Sequence, residues 1–205
     1  MEITNIKKNK GFGYALFVDG EFIFTVDDET IYHENLKRGR VVDEEYIDNL
    51  RGISGKKWAK KKAFDLLSAR SYTRKEIIDK ILPYTNEEGA CEIADRMEEL
   101  GLICDSKYAL SYARDRFLYR SKGAKVIKGE LLRKGIDRET IEEALDEVCS
   151  GEDTEVSAVY DLIKKKYINK LDDRKSKGNT IASLLRRGYS YDSIKRAFAK
   201  IEEDE

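Results

Sequence analysis

The sequence predicts a mainly α-helical protein: tandem three-helix, helix-turn-helix-like repeats in an elongated array, preceded by a small β-rich N-terminal domain. Three observations carry this. An apolar period of helical type runs from Lys56 to the end of the chain. One stretch of it, LLRKGIDRETIEEAL (131–145), recurs without a gap as LLRRGYSYDSIKRAF (184–198). The first fifty residues instead carry alternating, aromatic-rich runs around an Asp-Gly pair.

Residues 11–26, GFGYALFVDGEFIFTV, read as a hairpin turning at Asp19-Gly20, because Asp-Gly supplies the positive φ angles of a tight turn. Tyr14, Leu16 and Val18 alternate on one face, with Phe22, Phe24 and Val26 expected opposite them. Residues 2–8 supply a third strand, since a lone hairpin is marginal in water. Gly11-x-Gly13 is too short for a phosphate loop and reads as strand flexibility. A short acidic helix, DEEYIDNL (43–50), is expected next, with Gly52 and Gly55 as a hinge after it.

From Lys56 nine short helices are expected. Ala59, Ala63, Leu66 and Leu67 line the first, and Ile77, Ile78, Ile81 and Leu82 the second, which Pro83 closes. The third, 86–100, packs on Ala90, Ile93, Ala94 and Met97 and ends at Gly101 as a left-handed cap. The fourth, 106–120, turns Ala109, Tyr112, Ala113 and Phe117 inward. In the repeat, Leu131, Leu132, Arg133, Gly135, Ile141 and Ala144 fall on Leu184, Leu185, Arg186, Gly188, Ile194 and Ala197. A weaker copy is LLSARSYTRKEIIDKI (66–81), whose turn is one residue longer. In each unit a Leu-Leu pair packs the first helix and a short turn reverses the chain. Asp137, Ser190 or Thr73 then caps the next helix, and Thr73 with Glu76 forms a capping box. The expected domains are 1–52, 56–104, 105–150 and 151–205.

Composition narrows the function. With 205 residues, 40% hydrophobic and 39% charged, the chain folds but displays much charge. No run approaches the roughly 18 apolar residues of a membrane helix, and the start, MEITNIKKNKGFGY, has no signal-peptide core, so the cytoplasm is the expected location. Cys91, Cys104 and Cys149 lack paired spacing and His33 is the only histidine, so no metal and no cofactor are expected. Phosphate-loop, Gly-x-Ser-x-Gly and HExxH signatures are missing from the sequence. It reads as a binding protein and not an enzyme.

The net charge of −1 hides alternating blocks. Residues 106–134 carry nine bases against Asp115 and Glu130, whereas residues 137–155 carry nine acids against Arg138. Such blocks are either complementary helix faces or basic surfaces offered to a polyanion or an acidic protein. The acidic helix 137–148 is unsuited to reading DNA among its phosphates, and the basic stretch 187–200 is better suited. Arg116 and Arg120 are four apart and are expected to share a helix face, which Lys122, Lys125 and Lys128 extend across Gly123. With Arg114, Arg186 and Arg187 they form the candidate binding set.

ELGLICDSKYALSYARDRFLYRSKGAKVIKGELLRKGIDRETIEEAL (99–145) resembles the central signature of the RecX family of RecA regulators. The shared pattern is a Leu-Gly-aliphatic turn, an acidic residue, a Tyr-Ala helix start and an Arg-rich helix. Lys-Gly, a Leu-bearing helix, Lys-Gly-Ile and an aliphatic helix follow. AFDLLSARSYTRKEIIDKI (63–81) is similar to the family's first repeat, 184–198 to its last, and the hairpin with VDGEF to an extension found in some members. Cys104-Asp105-Ser106, where the family often has two acids, and the acidic link SGEDTEVS (150–157) depart from it. The resemblance implies curved, elongated three-helix units that bind the RecA–single-stranded DNA filament. It implies that they damp its ATP hydrolysis, strand exchange and coprotease activity. With no membrane-length apolar run and no coiled-coil or obligate-dimer signal, a monomer away from membranes is expected. The alternatives are a non-specific nucleic-acid-binding repeat protein and a helical adaptor unrelated to DNA.

Overall fold

The computed structural model describes residues 1–9, 13–149, 151, 153–168 and 174–204. Gly11, and Ser150 and Glu152 of the acidic link, lie outside the described residues. The chain forms two compact units, Met1–Ile103 and Cys104–Glu205.

The first unit opens with an antiparallel sheet of β1 (Ile3–Lys8), β2 (Tyr14–Val18) and β3 (Glu21–Val26) in that order. Asp19 and Gly20 take φ of 49° and 92°, the turn that the Asp-Gly pair predicts. Leu16 faces Phe24, but Phe17 faces Phe22, so a bulge interrupts the register. Phe22 therefore leaves the inner face expected of it and meets Phe17 edge-on, with ring centroids 5.9 Å apart. Ile3, Leu16, Val18 and Val26 build the inner face together with Leu36, Val42, Ile47 and Leu50. A short helix that the sequence reading did not anticipate, α1 (Asp28–His33), follows β3 on its Asp27 cap.

The break expected at Gly52 and Gly55 is absent, because α2 (Glu44–Ala69) runs through both. Gly55 serves a close approach instead: a Cβ there would lie 2.3 Å from the Tyr84 carbonyl oxygen. Next to it, buried Ser54 donates to the Thr25 carbonyl at 3.3 Å and lies 3.5 Å from the Asp27 carboxylate, tying α2 to the strand end. Asp27 is itself buried and accepts from the Thr30 amide at 2.9 Å and its hydroxyl at 2.5 Å, with the Lys57 ammonium 3.6 Å away. Burial pushes this carboxyl up, but the Thr30 hydrogen bonds and Lys57 outweigh it and hold it below the usual range. A depressed folded value means the contribution is complete above the unfolded value and fades as pH falls through the folded one. Asp27→Asn should therefore cost about 1–3 kcal/mol at neutral pH. Thermal melts at pH 7 and pH 3 should show that deficit shrinking in acid.

In α3 (Arg74–Ile81) both halves of the Thr73–Glu76 capping box are present. A 3-10 turn at Leu82–Tyr84 holds Pro83, and α4 (Glu87–Glu99) starts on an Asn86 cap and closes before Gly101, at φ 69°. Ala59, Ala63, Ile77, Ile81, Ala90, Ile93 and Met97 interdigitate as the core of these helices.

The second unit begins with α5 (Asp105–Arg114), which continues as a π-helical segment, Asp115–Tyr119. Then come α6 (Ala124–Arg133), α7 (Arg138–Cys149), α8 (Thr154–Lys166), α9 (Arg174–Arg186) and α10 (Tyr191–Glu203). Asp137 accepts from the Thr140 amide at 2.8 Å and Ser190 from the Ser193 amide at 3.1 Å, so both expected caps form. Ile141, Ala144 and Leu145 share one core with their repeat partners Ile194, Ala197 and Phe198, and with Ala109, Ala113 and Phe117. The Leu-Leu pairs split. Leu131 and Leu184 are fully buried, while Leu132 and Leu185 are 40% and 43% exposed. Successive residues on a helix point about 100° apart, so here the second leucine of each pair turns to the edge of the core.

Candidate functional site

The turn after the π segment and the turn between α9 and α10 touch backbone to backbone. The Gly123 amide donates to the Arg187 carbonyl at 2.8 Å, and the Lys125 amide to the Gly188 carbonyl at 3.3 Å. A Cβ on Gly123 would stand 2.3 Å from the Gly188 carbonyl carbon, and one on Gly188 2.6 Å from the Val126 nitrogen. Gly188 also has φ 92°, where L side chains are strained. Only glycines allow this approach, and it joins two sequence-distant helix pairs into one core.

The crossing gathers cations. Arg120 and Lys122 precede Gly123, Lys125 follows it, and Arg186 and Arg187 precede Gly188. The Arg187 guanidinium donates back to the Ser121 carbonyl at 3.4 Å. Beside it the Tyr167 hydroxyl pairs with Ser183 at 3.0 Å; that bond, aided by Arg187, holds the phenol below its ordinary value. Among the described residues, no carboxylate pairs with Lys122, Lys125 or Arg186. Tyr189, inside the crossing, is buried with no hydrogen-bond partner for its hydroxyl among the described residues, and burial pushes it up to about 12. Tyr189→Phe should accordingly stabilise the protein by about 1 kcal/mol, because it removes an unsatisfied buried hydroxyl. A urea midpoint unchanged or lowered would contradict this.

The remaining candidates are held by carboxylates. Arg114 donates to Glu147 at 2.5 Å and Lys128 to Glu142 at 2.7 Å, both across to α7. Arg116 lies over the Tyr112 ring, 4.7 Å from its centroid, and donates to the Tyr112 hydroxyl at 3.0 Å. Its Nε stands 3.2 Å from Glu130, which also accepts from Tyr112 at 2.9 Å. Arg116 and Arg120 both reach the Asp115 carboxylate, which is 3.9 Å from each. Pairing continues elsewhere, as in Lys56–Glu92 at 2.8 Å and Arg74 with Asp95 and Glu98. Exposed pairs of this kind contribute little to stability.

Sequence reasoning treated Gly123 and Gly188 as simple turns. That glycine stands in both turns was the signal, but nothing local says the two meet. Among the described residues no group of three His, Cys, Asp or Glu could hold a metal, and no helix is long and apolar enough to cross a membrane. The arrangement is chemically suited to gripping anions.

Three family models match the chain: the regulatory protein RecX N-terminal domain over residues 1–43, the RecX second three-helix domain over 105–145 and the third over 153–198. The glycine crossing lies between the last two. The chain is 30% identical to "Regulatory protein RecX" of Streptococcus gordonii, over all of this chain and 80% of that protein. It is 31% identical to "Regulatory protein RecX" of Caldanaerobacter subterraneus subsp. tengcongensis, over 96% of this chain and 98% of the relative. A crystal structure of regulatory protein RecX superposes with TM-score 0.64 at 25% identity, over 95% of this chain and 98% of that one. RecX from Lactobacillus salivarius gives TM-score 0.66 at 32% identity, over 72% and 97%. With the three-helix units, their order along the chain and full-length relatives in agreement, the chain belongs to the RecX family of regulatory proteins.

Proposed function

We propose that this protein is a negative regulator of RecA that binds the RecA–single-stranded DNA filament and inhibits its recombinase, ATPase and coprotease activities. The observation that carries the reading is the glycine crossing, which collects Lys122, Lys125 and Arg186 with no carboxylate pairing them among the described residues. Cations without a carboxylate partner, clustered by sequence at one backbone crossing, suit phosphates or an acidic protein surface. Family membership supplies the regulatory role, and occupying a filament requires binding energy but no catalytic group. The binding set is Arg120, Lys122, Lys125, Arg186 and Arg187 at the crossing, with Arg114, Arg116 and Lys128 behind it in exchangeable pairs. On this reading the protein acts in the cytoplasm as a monomer.

The test is single-stranded DNA-dependent ATP hydrolysis by RecA across a titration of this protein. Inhibition well below one molecule per RecA supports the filament regulator. Inhibition that appears only as the DNA is titrated away favours a second reading, a non-specific nucleic-acid-binding protein, which the same cations would serve. No inhibition and no DNA binding would remove both.

A further inference from the structure

We infer that the glycine crossing is a single-strand site, in which Tyr191 and Tyr167 stack unpaired nucleobases while the cations beside them hold the phosphates. The inference deepens the filament reading and rests on it. The cations alone would take any polyanion; the two rings select a nucleic acid whose bases are open.

Tyr191 is the first residue of α10, three past Gly188, and is 63% exposed. Among the described residues nothing holds its side chain by a hydrogen bond, a ring contact or an overlying cation. Its direction follows from helix spacing. Phe198 and Glu202 come about two and three turns later and so share its side of α10. Lys177 of α9 meets both, 5.0 Å from the Phe198 centroid and 2.5 Å from the Glu202 carboxylate. That side of α10 therefore faces α9. The two helices run antiparallel across their turn, which puts Tyr191 toward the end of α9 where Arg186 and Arg187 stand. Lys195, one turn on from Tyr191, is exposed and has no carboxylate partner among the described residues. Asp192, next in the helix, points about 100° away, toward the side of Arg196.

Tyr167 approaches the same end of α9 from α8. Its hydroxyl pairs with Ser183 at 3.0 Å, one turn before Arg187, whose guanidinium acts on the phenol together with Lys166. Lys166 is exposed, and no carboxylate pairs with it among the described residues. The Tyr167 ring packs partly against the core and is half-buried. Tied at its tip and along its body, it is fixed in place before any ligand arrives, which lowers the ordering cost of binding.

Aromatic rings beside cations that track a backbone are what single-strand binding requires, because every base has a face to stack and every linkage a charge to hold. In a duplex those faces are taken by neighbouring bases, so the rings gain nothing there. An acidic protein surface would engage the cations and leave the rings without a planar partner. Of these three polyanions, the pairing of exposed Tyr191 with Arg186, Lys122 and Lys125 fits the single strand best.

The test measures affinity by fluorescence anisotropy for a single-stranded oligonucleotide, a duplex of the same length and an abasic strand of the same length. It compares wild type with Tyr167→Leu/Tyr191→Leu, which keeps apolar bulk without a ring, and Tyr167→Phe/Tyr191→Phe, which keeps the rings. The leucine variant should bind the single strand at least about tenfold more weakly. Its salt slope should be unchanged, since no phosphate contact is lost, and its duplex and abasic affinities should match wild type. The phenylalanine variant should bind like wild type. Should the leucine pair lower the melting temperature, Tyr191→Leu alone carries the test, because that side chain is exposed. Equal binding of the normal and abasic strands by wild type would overturn the proposal, as would a leucine variant that weakens on all three ligands alike or on none. Those results leave the cations as a phosphate site. Wild type that binds none of the three, or fails to inhibit RecA ATP hydrolysis, is the separate outcome that sinks the underlying reading.

Discussion

Gly123→Ala should destabilise the unit Cys104–Glu205 by about 2–4 kcal/mol, more than any surface substitution in it. The added methyl would sit 2.3 Å from the Gly188 carbonyl carbon and 2.4 Å from both the Gly188 oxygen and the Tyr189 nitrogen. All three are backbone atoms, so no side chain can swing aside. Relief requires the two turns to separate, which breaks the Gly123–Arg187 and Lys125–Gly188 hydrogen bonds and loosens the packing of α6 against α9 and α10. For a unit of this size the loss corresponds to a melting-temperature fall on the order of 10–20 °C. Gly188→Ala should be at least as severe, because it adds the left-handed φ penalty of about 1–2 kcal/mol. Gly129→Ala is the control. Gly129 lies within α6 with nothing near a Cβ, so alanine there should be neutral or stabilise by up to about 1 kcal/mol. Calorimetry on the three variants decides the point. If Gly123→Ala and Gly129→Ala melt together, the crossing is not a fixed contact, and the site built on it dissolves.

What the sequence could reveal follows from how local each cause is. Asp19-Gly20 fixes its turn through its own φ angles, and Thr73, Asp137 and Ser190 cap helices three residues away. The inward stripes Ile141–Ala144 and Ile194–Ala197 obey a period that needs no knowledge of the neighbour. Features set by distant atoms were illegible. Gly55 looked like a hinge because its reason, the Tyr84 backbone, lies in another element. The bulge between Leu16 and Phe17 moved Phe22 off its expected face, and the π segment Asp115–Tyr119 interrupts a helix that the sequence reads as regular. The candidate site was legible as a set of bases, but which of them are paired depended on α7 and on Tyr112 and Glu130, and so on tertiary structure.

That division between paired and unpaired cations makes the functional prediction specific. The triple variant Lys122→Gln/Lys125→Gln/Arg186→Gln should keep the fold, since none of these side chains has a carboxylate partner among the described residues and none is in the core. Each phosphate contact on single-stranded DNA contributes about 0.7 to the slope of log affinity against log salt. Losing three should flatten the slope by about 2. Wild type should then lose roughly twentyfold more affinity than the triple variant between about 50 and 200 mM salt. Arg114→Gln/Lys128→Gln removes two cations of similar exposure that already face Glu147 and Glu142. These charges are compensated within the protein, so their loss should leave the slope nearly unchanged, and inhibition of RecA ATP hydrolysis should follow the same order. Salt titrations by fluorescence anisotropy on a labelled oligonucleotide, with and without RecA, read both quantities. Were the two variants to flatten the slope equally, pairing with α7 would not shield Arg114 and Lys128, and the basic surface would extend well beyond the crossing. Were neither to change it, phosphate would not be what these cations hold, and an acidic protein surface would have to take its place.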